Sequence, residues 1–217
     1  LAFLVGLLTC CKSEDAPIKP VKPTDPGSIN KEYMSRAETT FANIFKYYWS
    51  DKVRMMFGSY PNTLGTPQEP SSPDYDSHAY LWGLGSVVSA FNAIVQNTDN
   101  VDFRMTYESR LKETLLKYYN TTKEPMCFGC FVNPHDQRLY DDAIWVGIDL
   151  ADLYSKTKDS WYLDYAKSVW NFVLSGKDDE LGGGVYWDEN AKDSKNTCSN
   201  APAVVLALKL YQITNDA

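Results

Sequence analysis

Apolar residues recur every three to four positions in six stretches of the chain, near 30–50, 78–96, 101–119, 141–155, 159–175 and 198–213. That spacing predicts helices. In the first stretch Met34, Ala37, Phe41, Ile44, Phe45 and Tyr48 share one face. No stretch alternates with the period of a strand, so the pattern predicts an all-α fold. Charge divides the six helices into two kinds. Residues 102–119 carry seven charges (Asp102, Arg104, Glu108, Arg110, Lys112, Glu113 and Lys117), whereas residues 79–95 carry none and residues 201–211 only Lys209. A helix apolar all round is buried on all sides, and an amphipathic one faces water. Helices two, four and six are therefore expected inside, and one, three and five outside. The inner set is also rich in Gly, Ala and Ser, which permits close packing.

The sequence repeats itself. LADLYSKTKDSWYLDYA (150–166) aligns with LALKLYQITNDA (206–217) through Leu153-Tyr154 and Leu210-Tyr211, an offset of 57, and Thr157 and Asp159 match Thr214 and Asp216. Alternating inner and outer helices at such a period predict a ring or solenoid of α-hairpins, in which one unit cannot bury its inner face alone. A closed toroid of six hairpins needs roughly 350 residues at this period. The three hairpins over 30–217 are thus expected to form the N-terminal half of an (α/α)6 barrel, with an apolar face left open. Connections after inner helices are short (96–100, 155–158), and those before them are long (51–77, 120–140, 176–197). In a hairpin toroid the long ones share one end, where sites are built. They deliver His78, Tyr80 and Trp82, then Tyr140, Asp141 and Asp142, then Trp187, Asn196 and Asn200.

The first residues do not belong to that fold. LAFLVGLL (1–8), followed by Thr9, Cys10 and Cys11, is too short to cross a bilayer as a helix and reads as part of a lipoprotein signal peptide, with Cys11 or Cys10 as the lipidated residue. The following Lys-Ser-Glu-Asp is similar to the acidic export tag of surface lipoproteins in Bacteroidetes-type bacteria. Pro17, Pro20, Pro23 and Pro26 make residues 12–29 a stiff tether. The expected location is the outer membrane or cell surface, through a lipid anchor only; a secreted or periplasmic chain is the alternative.

Of 217 residues, 44% are hydrophobic and 23% charged, enough apolar surface for a real core. A net charge of −7 makes nucleic acid a poor partner. Aromatic residues are 14% of the chain, which suits stacking on flat ligands such as sugar rings and equally suits a Tyr-rich core. Cys127 and Cys130 stand in a lone Cys-Phe-Gly-Cys with only His135 nearby. A zinc site needs four ligands, so no metal or other cofactor is expected, and an exported chain favours a local disulfide there. Asn120-Thr121-Thr122 is a glycosylation sequon by pattern only.

Candidate chemistry concentrates in LYDDAIWVGIDLADLY (139–154). Two aspartates at a helix start can act as an N-cap and a complement to the helix dipole. This pair, however, opens an apolar inner helix at the long-loop end, where charge is costly without a purpose. Neighbours in a first turn diverge by about 100°, so their carboxylates can flank a bound bond, as retaining glycosidases require at about 5–5.5 Å. Trp145 is expected beside the pair. Trp187, after Gly182, Gly183 and Gly184, is a sugar platform or a plug between loops. Asn196 and Asn200 are candidates for sugar hydroxyls, Asn200 alternatively for capping the sixth helix. His78 and Trp82 are further substrate candidates, with a structural role the stronger reading for His78.

The Asp-Asp pair with Ala-x-Trp, the GGGVYWDE loop and KNTCSNAPAVVLALKLYQIT together resemble glycoside hydrolase family 76, the endo-α-1,6-mannanases, over residues 30–217. The resemblance implies an (α/α)6 barrel that hydrolyses mannan with retention, Asp141 as nucleophile and Asp142 as acid/base. Two alternatives stay open. A glycan-binding helical lipoprotein shares the anchor and the aromatics but needs no paired carboxylates. Another (α/α)6 hydrolase or lyase acting on acidic oligosaccharides would want basic loops, and these are not basic.

Overall fold

The computed structural model describes residues 31–61, 78–132 and 137–215. The lipidation candidates Cys10 and Cys11, the tether and His135 lie outside the described residues.

Six helices form where the periodicity places them: α1 (Lys31–Tyr48), α2 (Leu81–Asn97), α3 (Val101–Tyr118), α4 (Tyr140–Thr157), α5 (Ser160–Ser175) and α6 (Thr197–Thr214). Side-chain caps fix two of the outer starts, with Asn100 accepting from the Phe103 N–H and Asp159 from the Trp161 N–H. The sequence repeat is also a structural one. Thr157 and Thr214 each donate a hydroxyl to the carbonyl four residues back, Leu153 and Leu210. The next residue in each copy, Lys158 and Asn215, ends its helix in the left-handed region at φ 61° and 54°.

Helix α4 is the centre, packed against α2, α5 and α6. Its Ala143, Ile144, Val146, Leu150 and Ala151 are fully buried. A Cβ on Gly147 would come within 2.9 Å of Val169 Cγ1 and 3.1 Å of Leu206 Cδ2, so glycine sets the close approach of α5 and α6. On the outer side α1 and α3 close over α2 through the rings of Phe41, Phe45, Phe91, Phe103 and Tyr107. Burial on all sides, expected of each inner helix, is approached by α4, which leaves Trp145 exposed near its start. α2 leaves Trp82 and Ser86 in solvent, and α6 leaves Val204, Val205, Leu208 and Tyr211 exposed.

Two short ladders follow the outer helices, β1 (Trp49–Ser50) with β2 (Met55–Met56) and β3 (Tyr119–Asn120) with β4 (Cys127–Phe128). At two residues each, they leave no strand period to read. The expected Cys127–Cys130 disulfide is not formed: both thiols are free. Cys127 is buried at its ladder position opposite Asn120, while Cys130 hydrogen-bonds to Asp142.

Candidate active site

The long connections precede α2, α4 and α6, and each short one joins an inner helix to the next outer helix. At the long-connection end the first turn of α4 carries Asp141 and Asp142, each 9% exposed. The residue before the helix is Leu139, which offers no side-chain cap, and neither aspartate is the N-cap. Free N–H groups and the dipole of this helix start favour negative charge there.

The two carboxyls have different surroundings. Burial first, and then the negative charge of Asp141, push the pKa of Asp142 up to about 6, while the Cys130 thiol donating to it works the other way. Asp141 accepts the indole N–H of Trp187 on Oδ2 at 3.2 Å. Its Oδ1 is buried with no hydrogen-bond partner among the described residues. The Cys198 thiol at the start of α6 also faces Asp141, and its pKa is raised by burial and by that carboxylate.

A stitched loop holds Trp187 in place. Its carbonyl accepts from the Tyr140 N–H at 3.0 Å, its N–H donates to Ser194 O at 3.2 Å, and Glu189 N–H donates to Arg138 O at 3.2 Å. Beneath it the fully buried Arg138 pairs with Glu189 through Nε to Oε2 at 2.8 Å and Nη2 to Oε1, and donates to Pro125 O at 2.6 Å. The glycines upstream, Gly182, Gly183 and Gly184, all sit at positive φ (86°, 90° and 86°). The group that closes on Gly184 is the Asn200 amide. Asn200 accepts from Val185 N–H at 2.8 Å and donates to the carbonyls of Val185 and Asn196 at 2.9 Å each. It therefore clamps the loop from inside α6, while Asn196 is the N-cap residue and makes no side-chain cap bond.

The other sequence candidates separate. Tyr140 lies in the core, stacked on Phe172 at 4.3 Å and 15°, away from the open face. Trp82 and Trp145, 55% and 42% exposed, line a cavity of about 290 Å³ with Gly85, Ser86, Ser89 and Asp142. His78 stacks on Phe57 and lines a neighbouring cavity of about 610 Å³, which shares Trp82. Cys198 and the Arg138–Glu189 pair carry no spacing signal, and the Cys-Phe-Gly-Cys spacing of Cys130 does not point to Asp142; only the fold brings them here. Among the described residues no three His, Cys, Asp or Glu side chains gather as metal ligands.

The sequence profile of glycosyl hydrolase family 76 matches residues 32–217. The chain belongs to that family. Solved family 76 structures agree with it. A glycoside hydrolase from a bovine Bacteroides thetaiotaomicron strain is 30% identical with a TM-score of 0.71, covering 84% of this chain and 39% of that one. A mannosidase from Bacteroides thetaiotaomicron VPI-5482 is 25% identical with a TM-score of 0.70, covering 85% and 49%. An α-1,6-mannanase from Salegentibacter is 22% identical with a TM-score of 0.63, covering 85% and 46%. The chain thus spans between 39% and 49% of the length of these three relatives. A search of curated proteins gives no match. Among the described residues the chain's six helices make three hairpins of an (α/α)6-type toroid.

Proposed function

We propose that this family 76 protein is a retaining glycoside hydrolase acting on α-1,6-linked mannan, with Asp141 as nucleophile and Asp142 as general acid and base. One observation carries the reading: two adjacent carboxyls at the mouth of α4 have opposite preparation. Asp141 is fixed through Oδ2 by Trp187, and its Oδ1 has no hydrogen-bond partner among the described residues. Asp142 has a pKa raised to about 6, so it holds a proton where an ordinary aspartate has lost it. In the first step Asp141 Oδ1 attacks the anomeric carbon, the glycosidic C–O bond breaks, and the Asp142 proton goes to the leaving oxygen. In the second, Asp142 takes a proton from water, which attacks the same carbon and releases Asp141. Support for the substrate comes from a Salegentibacter α-1,6-mannanase variant, inactive with two aspartates replaced by alanine and seen in complex with α-1,6-mannotetrose.

The test uses the full-length protein and aryl α-mannosides, whose activated leaving groups need no protonation. Asp141→Asn abolishes turnover with every leaving group. Asp142→Asn keeps the first step on the aryl substrate, and added azide yields α-mannosyl azide. Rescue of Asp141→Asn to the α-azide, with Asp142 intact, would reverse the two roles. A loss of less than about tenfold in both variants, against the 10²-fold or more typical of an acid–base group, would reduce the pair to a structural feature.

A further inference from the structure

The cavity between α2 and α4 touches Asp142 and not Asp141. Trp187 and Cys198 reach Asp141 from the loop before α6 and from the start of α6. If Asp142 protonates the leaving oxygen, the leaving group lies on the cavity's side. The cavity floor has one-sided hydrogen-bonding chemistry. Ser89 donates its hydroxyl proton to Asp149 Oδ2, and Asn92 Nδ2 donates to Oδ1 of the same carboxylate at 2.8 Å. Ser86 donates to Trp82 O at 3.3 Å. A hydroxyl has a single proton, so both serines offer the cavity only lone pairs. A ligand held there must bring donors, as a polyol does, and an apolar face for the indoles of Trp82 and Trp145.

We propose that this cavity binds the leaving-group sugar of the cleaved α-1,6-mannan, and that Ser89, locked as an acceptor by Asp149, selects a sugar hydroxyl in it. The proposal rests on the hydrolase reading above. Its volume of about 290 Å³ admits one hexose ring with room for water. Asp149 is then a positioning residue: it touches Ser89 rather than the sugar, and Asn92 fixes its other oxygen. A leaving group without a hydroxyl donor forgoes the bond to the half-buried Ser89, so the site discriminates against it.

The test compares two leaving groups on the full-length protein: the mannose or mannooligosaccharide released from α-1,6-mannotetraose, and nitrophenolate from 4-nitrophenyl α-mannoside, which brings no hydroxyl donor. The readout is the ratio of kcat/KM for the tetraose to that for the aryl mannoside. Ser89→Ala lowers the ratio by about fivefold or more. Asp149→Asn lowers it in the same sense, and Ser89→Thr, which keeps the hydroxyl, restores it to within about twofold. A smaller fall in Ser89→Ala, or an equal loss on both substrates, overturns the proposal. Wild-type protein that cleaves the aryl mannoside but not the tetraose removes the α-1,6-mannan reading, and this inference with it. Wild-type protein that cleaves both, with an unmoved ratio in Ser89→Ala, removes this inference alone.

Discussion

Helix α4 holds four aspartates in two regions, and their treatment differs. Asp149 and Asp152, two to three turns into the helix, are fully engaged. Asp149 takes Ser89 and Asn92, and Asp152 pairs with Lys209 at 2.5 Å. These contacts cross from α2 to α4 and from α4 to α6, so the carboxylates act as struts between the inner helices. Asp141 and Asp142, in the first turn, are instead set against each other. Oδ1 of Asp141 has no hydrogen-bond partner among the described residues, and Asp142 is buried beside a like charge. A buried carboxylate without full partnering costs stability. The same residue type on the same helix thus meets two environments: deep in the helix its oxygens are satisfied, and in the first turn they are not.

The largest effect is expected where the mouth is held together. Arg138 is fully buried, and Glu189 is its carboxylate partner. Removing Arg138 leaves Glu189 to Lys123 at 3.0 Å and takes the donor from the Pro125 carbonyl, so Arg138→Ala should cost about 3 kcal/mol, read by chemical unfolding. Arg138→Met with Glu189→Met should recover most of that loss. If the single and double variants are equally destabilised, the pair is not what supports the Trp187 loop.

A smaller effect, opposite in sign, tests the strain at Asp142. Its pKa is about 6 in the fold, against 3.8 for the free side chain. The folded state thus holds a proton that the unfolded state has released between those values. The associated stability is present below about pH 4 and lost as pH rises through 6. Asp142→Asn removes the buried charge and should stabilise the protein by about 2–3 kcal/mol at pH 8, with little change at pH 4. Thermal unfolding at the two pH values decides it. A variant that is destabilised at pH 8 would mean that the mouth is satisfied after all, and the contrast with Asp149 would fail.

The sequence made much of this legible, and its gaps have physical causes. Helix positions follow from periodicity, and the central place of α4 from its many apolar positions, while α3 buries one face only. The Asp-Asp pair was visible since charge at the head of an apolar helix is costly. The partners were not visible. Cys130 reaches Asp142 from the loop after β4, Trp187 reaches Asp141 across 46 residues, and Ser89 reaches Asp149 across 60. Tyr140 shows the reverse failure: it adjoins the pair in sequence, but a one-residue step turns it by about 100° into the core. The Cys-Phe-Gly-Cys spacing suggested a disulfide, yet both thiols are free and one of them hydrogen-bonds to the Asp142 carboxyl.

The smallest expected effect separates the two regions most directly. Lys209 is the one charge in the 201–211 stretch, and it meets Asp152 with about 30% of each side chain exposed (29% and 31%). Partly solvated pairs are screened and contribute little, so Lys209→Met should cost about 0.5–1 kcal/mol, and less at high salt. Because Asp152 can be solvated once its partner is gone, and because Asp149 keeps Ser89 and Asn92, the strut loosens without freeing the cavity floor. Turnover of α-1,6-mannotetraose should then stay within about twofold of wild type, even where unfolding shows the loss of stability. A fall well beyond that, at unchanged affinity, would mean that the deep carboxylates tune the mouth across two turns of α4. The division into a structural and a reactive region would then have to give way to a single coupled column of acids.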